Sequence, residues 1–183
     1  MTTEAPIFSP ERVGLSLPDV GPQGPTSEDQ RALLAALGTL KVDWNLFGGH
    51  LAFDQECYVR RRLFLNDSWE ALLLCWLPGQ KTAIHDHGDS WGATLVLAGD
   101  LVESQFRWHG HGLPMEFKGD SALGAHQITV ETHDTIHVVS NRSAAPAVSL
   151  HLYGPPLKYL NAYEAETGEQ NYLEPSETRF FKR

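Results

Sequence analysis

The chain has 183 residues, of which 42% are hydrophobic and 20% charged, and a formal net charge of −9. That length suits one domain with a substantial core, and the composition is that of a soluble globular protein. The charge argues against nucleic acid as a partner, because phosphate binding needs a basic surface. Two cysteines, Cys57 and Cys75, make no disulfide framework, so a reducing cytoplasm is the expected location. The opening Met-Thr-Thr-Glu-Ala-Pro lacks the basic and apolar regions of a signal peptide, and the apolar run Ala71–Leu77 is too short to span a membrane.

Taken in chain order, Met1–Thr26 is rich in Pro, Gly and Ser and reads as an irregular arm. Ser27, with Glu28 and Asp29 behind it, is expected to cap a helix. Leu33, Leu34, Leu37 and Leu40 recur at helical spacing, and Gly38 should fray the end. After Val42–Phe47 and a Gly48-Gly49 turn comes a series of short strands. These are expected near Tyr58–Leu65, Trp69–Trp76, Thr82–His87, Ala93–Leu97, Leu101–Trp108, His126–Glu131, Ile136–Ser140 and Ala147–Tyr153. About eight strands with no helices between them predict a mainly β fold, a small antiparallel barrel or jelly roll. Within a single domain, 1–45 would be arm and helix, 58–156 the barrel, and 157–183 a polar wrap with aromatic anchors on the outside.

Within the third strand, His85 and His87 should project from one face and Asp86 from the other. A third imidazole, His137, stands at the head of His137-Val-Val-Ser-Asn141. Together these can converge on one metal ion. With Gly79 ahead of the pair and Gly99 behind it, the spacing resembles the two metal-binding motifs of the cupin superfamily. Gly92 stands where the first motif places a glutamate. Three neutral ligands leave a dication its full charge and open positions, which an anionic thiolate would suit, although zinc with a water remains open. His50, His109, His111, His126 and His133 read as ordinary surface or core residues, and His109-Gly-His111 as a flexible turn.

Two further rows are unusual. Ser149, His151 and Tyr153 alternate on one strand between Val148, Leu150 and Leu152, which puts polar groups on a buried face where they must be hydrogen-bonded or functional. Tyr58, Arg60 and Arg62 alternate likewise, and a guanidinium facing a barrel interior is costly without a carboxylate partner.

Tyr58-Val-Arg60, Cys75-Trp76, Ile84-His-Asp-His87, Asp89-Ser90, His137 and Ser149-Leu-His-Leu-Tyr-Gly-Pro-Pro156 resemble the type I cysteine dioxygenase family, over about Tyr58 to Gly168. The resemblance implies ferrous iron held by His85, His87 and His137. It further implies a substrate carboxylate paired with Arg60 and assisted by Tyr58, and a Ser149-His151-Tyr153 relay with the phenol beside the iron. The implied reaction takes L-cysteine and O2 to cysteine sulfinate, with both oxygen atoms kept. No nucleic acid or membrane partner is implied, and a monomer is expected. In mammalian members a cysteine at the position of Gly92 is cross-linked to the tyrosine matching Tyr153. Glycine excludes that link, as in many bacterial members. The family also has a cis peptide at the position of Gly154-Pro155. Three alternatives stay open: a 3-mercaptopropionate dioxygenase, whose arginine is typically replaced by glutamine; a cupin that binds a small ligand without catalysis; and a zinc or manganese isomerase or hydrolase.

Overall fold

A computed structural model describes residues 9–10, 13–18 and 26–175. Most of the expected arm, and the last residues of the expected wrap, lie outside the described residues. Helix α1 spans Ser27–Gly38. Its cap is Thr26, one residue before the expected Ser27. The Thr26 hydroxyl accepts from the Asp29 N–H, and the Asp29 carboxylate accepts from the Thr26 N–H, so a reciprocal capping box fixes the start. Leu33 and Leu37 face inward, and the helix stops at Gly38. The next segment makes two short 3-10 turns, Trp44–Leu46 and Gly48–His50.

Eleven strands follow among the described residues: β1 Val59–Leu65, β2 Glu70–Trp76, β3 Ile84–His85, β4 Trp91–Ala98, β5 Leu101–Arg107, β6 Glu116–Leu123, β7 Ile128–Glu131, β8 Ile136–Ser140, β9 Ala147–Gly154, β10 Leu160–Tyr163 and β11 Gln170–Leu173. They form two antiparallel sheets, ordered β1-β2-β9-β4-β7 and β11-β10-β3-β8-β5-β6. The jelly-roll expectation fits this arrangement.

The sequence left β6, β10 and β11 without strand character, for a physical reason. β6 is an edge strand, mostly exposed, and shows no apolar alternation. The expected wrap does not simply lie on the outside: β10 inserts between β3 and β11, and its Leu160 is buried. Four-residue strands with mixed surfaces carry too short a pattern to read.

The five-stranded sheet is covered on both faces. Ala71, Leu73, Cys75, Trp91, Ala93, Leu95, Val148, Leu150 and Leu152 pack on one side with Leu33 and Leu37 of α1. Leu72, Leu74, Trp76, Val96 and Tyr153 pack on the other with Leu101 and Val139 of the second sheet. Hence every residue of β9 is buried. Its apolar set meets the helix layer, and the Ser149-His151-Tyr153 set faces the space between the sheets. Gly99 turns the chain between β4 and β5 at φ +75°, with the Pro146 carbonyl so close that a side chain would clash. The Gly154–Pro155 bond is cis.

Candidate metal centre

β3 is only two residues long, yet it places the first ligand. His85 pairs directly opposite His137 of β8, and His87 lies just past the strand. What holds that segment is the residue between the histidines. Asp86 points the other way and accepts from the backbone and side chain of Asn161, from the Tyr163 hydroxyl at 2.7 Å and from the Gly88 N–H. The His-Asp-His segment is thereby braced against β10.

The three rings close on one another, with centroids 5.0 Å apart for His85–His87, 4.8 Å for His85–His137 and 4.9 Å for His87–His137. One nitrogen from each lies within 4.8 Å of the others. These nitrogens would hold a divalent cation shared by the three rings. His85 Nδ1 engages the Ala83 carbonyl at 3.1 Å, and His137 Nδ1 engages Glu103 Oε1 at 2.7 Å, which leaves Nε2 of each ring available. Neither nitrogen of His87 has a hydrogen-bond partner among the described residues, although the ring is buried. Burial, reinforced by His137, pushes the pKa of His85 down to about 3, and burial drives His87 well below the ordinary range. Neutral, desolvated imidazoles with an orphaned nitrogen suit a divalent cation.

A cavity of 40 Å³ opens onto the three histidines, with Arg60, His151 and Tyr153 in its wall. Water needs about 10–15 Å³ by this measure, so a ligand of only a few heavy atoms fits. Tyr58 also lines it, stacked on Trp76 at 4.5 Å. On β9, Trp76 Nε1–H donates to Ser149 Oγ at 3.0 Å, and Ser149 Oγ meets His151 Nε2 at 2.8 Å. His151 Nδ1 lies 3.3 Å from the Tyr153 hydroxyl but only 2.7 Å from Thr94 Oγ1. The expected row is therefore continuous, with Thr94 the nearer partner of the imidazole. Burial pushes the Tyr153 phenol far up in pKa, and the neighbouring Glu131 adds to that, so the hydroxyl keeps its proton.

Arg60 is buried, and Glu70 of β2 lies within reach of it at 3.4 Å. The same carboxylate holds Arg62 at 2.8 Å and accepts from the Leu157 N–H. Arg62 is partly exposed and does not line the cavity. Both guanidinium groups thus share the Glu70 carboxylate.

Sequence reasoning missed Glu103, Thr94, Glu70 and Glu131, all buried. A signal existed. Thr94 and Glu103 interrupt apolar patterns within β4 and β5, while Glu70 and Glu131 stand at the ends of β2 and β7. The other five histidines stay out of the site: His109 pairs with Glu116 at 2.9 Å on the surface, His111 packs its ring on Trp108, His126 and His133 are exposed, and His50 is half-buried in a 3-10 turn.

The buried neutral histidines have a consequence for stability. His151, like His85, is pushed down to about 3, burial being the main cause. An unfolded histidine titrates near 6.5, so between those values the unfolded chain takes up protons that the native chain refuses. Stability is fully present above about pH 6.5 and is lost as pH falls toward 3, by about 1.4 kcal/mol per pH unit for each such group. Urea unfolding of metal-free protein should show a falling midpoint from about pH 7 to about pH 5. A midpoint that holds or rises would mean these rings protonate inside the fold.

Comparison with known proteins places this geometry. Residues 27–166 match the family described as Cysteine dioxygenase type I. The Cysteine dioxygenase type 1 of Rattus norvegicus is 34% identical over 148 residues, covering 79% of this chain and 72% of that protein. That of Danio rerio is 34% identical over 149 residues, covering 79% and 73%. In fold, the chain is similar to an uncharacterized conserved protein with a double-stranded β-helix domain from Klebsiella pneumoniae, at TM-score 0.51 and 15% identity, covering 69% of this chain and 86% of that one. With the family match spanning most of the strands that build the three-histidine cavity, the chain belongs to the cysteine dioxygenase type I family.

Proposed function

We propose that this chain is an iron-dependent thiol dioxygenase that oxidises L-cysteine with O2 to cysteine sulfinate. One observation carries the reading: a small cavity has three histidines, a protonated phenol and a buried guanidinium in the same wall. The reaction balances without a co-reductant, since RSH and O2 combine to RSO2H. Ferrous iron held by His85, His87 and His137 supplies, when bound, the redox chemistry that adds both oxygen atoms to sulfur.

The protein's own part is binding and proton placement. Arg60 takes the substrate carboxylate, with Tyr58 beside it, and so fixes the distance of the thiol from the three imidazoles. Tyr153 presents its O–H to the thiolate, while Ser149 and His151 hold the phenol from behind. A reducing cytoplasm and a monomer suit a small thiol as substrate and two free, buried cysteines. No helix among the described residues is long and apolar enough to cross a membrane.

The direct test is oxygen uptake by iron-loaded protein with cysteine, with cysteine sulfinate measured in parallel. Uptake without sulfinate would sink the reading. A higher kcat/KM for 3-mercaptopropionate than for cysteine would transfer it to that thiol. Tyr153→Phe removes the donor and keeps the ring, and kcat should fall by about 10- to 1000-fold, the range for one positioned proton donor or hydrogen bond. Intact-mass and peptide mass spectrometry should find no thioether at Tyr153, because Gly92 has no sulfur to give.

A further inference from the structure

One row crosses four strands of the five-stranded sheet: Glu70 of β2 opposite Tyr153 of β9, Tyr153 opposite Gly92 of β4, and Gly92 opposite Glu131 of β7. Gly92 has no side chain, and a Cβ there would collide with the Leu152 carbonyl oxygen. The space a side chain would need at Gly92 is taken by the Leu152 carbonyl and the edge of the Tyr153 ring, so the strands lie close there. The Glu131 carboxyl stands beside the Tyr153 hydroxyl, with Oε2 3.5 Å from His87 Nε2.

This carboxyl has no access to solvent at all. Thr94 Oγ1 donates to Oε1 at 2.5 Å, while Oε2 has no hydrogen-bond partner among the described residues. Leaving a buried acceptor unsatisfied is costly, and more so for a charged group. Glu103, the other acid near the ligands, differs: both its oxygens are engaged, by His137 and by Thr129. Burial raises the pKa of this carboxyl, and with one oxygen held by Thr94 and the other 3.5 Å from an orphaned imidazole, a cation nearby would offset that cost and favour the ionised form.

We propose that Glu131 is the anionic group of this metal centre, supplied from β7 opposite Gly92, where it balances the charge of an ion held by His85, His87 and His137 and steadies His87 and Tyr153. The proposal rests on the three-histidine metal reading. It changes that reading in one respect: the three histidines gain a carboxylate from a neighbouring strand, in place of the glutamate absent from β4. Glu131 acts here as a positioning and charge-balancing residue.

The test uses Co²⁺ as a spectroscopic ion and azide as a small anionic probe of its open positions. Glu131→Gln keeps the shape and an oxygen acceptor for Thr94, and it buries an amide more cheaply than a carboxylate, so the fold should persist. Its Co²⁺ affinity should fall by about 10- to 100-fold, the usual range for an outer-shell partner. Azide should bind the Co²⁺-saturated variant more tightly than the wild type, because the competing negative charge is gone. These opposite signs distinguish lost charge from mere distortion, which would weaken both. Glu131→Asp, which keeps the charge, should leave azide affinity at the wild-type level. Unchanged Co²⁺ affinity in Glu131→Gln overturns the proposal. So does azide binding that weakens along with Co²⁺ binding, or an equal azide gain in the Asp variant. If the wild-type chain takes up no Co²⁺, the metal-centre reading fails first, a different result from wild type and Gln variant binding alike.

Discussion

Alanine at His85, His87 or His137 should abolish turnover and drop iron from about one ion per chain in anaerobically prepared protein to a small fraction of that. Each ring supplies one of three protein donors, and the remaining two cannot hold a dication against water at open positions. Loss of His137 has a second cost, since Glu103 would keep its place behind a missing imidazole, as a buried acid deprived of its 2.7 Å partner. Loss of His87 should be the mildest for the metal-free fold, because its ring nitrogens have no hydrogen-bond partner to strand. Iron analysis and oxygen uptake on each variant decide the matter. A variant that keeps both is not missing a ligand.

Arg60→Ala should lower kcat/KM for cysteine by at least about 100-fold. Truncating one member of a buried charge pair costs about 3–5 kcal/mol, less where water enters, and about 1.4 kcal/mol corresponds to each tenfold step. Glu70 sharpens the expectation. It is shared between Arg60 and Arg62, so removing Arg60 leaves it held by Arg62 and the Leu157 N–H, and the fold loses little. Arg62→Ala should cost less, as Arg62 does not line the cavity. The cost should still be measurable, because Glu70 would then lose its 2.8 Å contact to Arg62 and shift in its interaction with Arg60. Cysteamine has no carboxylate. It should be a poor substrate for the wild type and lose little further in Arg60→Ala. Equal losses on cysteine and cysteamine would make Arg60 a support of the fold instead.

Much of the site was legible because its signals are local. His85 and His87 flank one residue, His137 heads a short motif, and Ser149, His151 and Tyr153 repeat at the two-residue period of a strand. Five of the six line one cavity with Arg60, and Ser149 lies behind His151. The structure differs in detail at His85 and His87: the strand holds two residues instead of six, and Asp86, read only as pointing away, is the brace that fixes the pair. The polar row on β9 looked anomalous for a core strand because one buried face was assumed. With α1 packed behind the sheet, both faces are buried, and the apolar set of β9 belongs to the helix layer.

By itself the sequence determined the strand-rich fold, the three histidines that cluster, the phenol row and the cavity arginine, since each is written in spacing along one short segment. Only the tertiary structure decided which acids enter the site. Glu103 meets His137 across 34 residues, and Thr94 meets Glu131 across 37. Glu131 stands at the site opposite Gly92 because strand register pairs those two. Register is fixed by the packing of the whole sheet, and a one-residue slip would turn every one of these carboxylates to the other face.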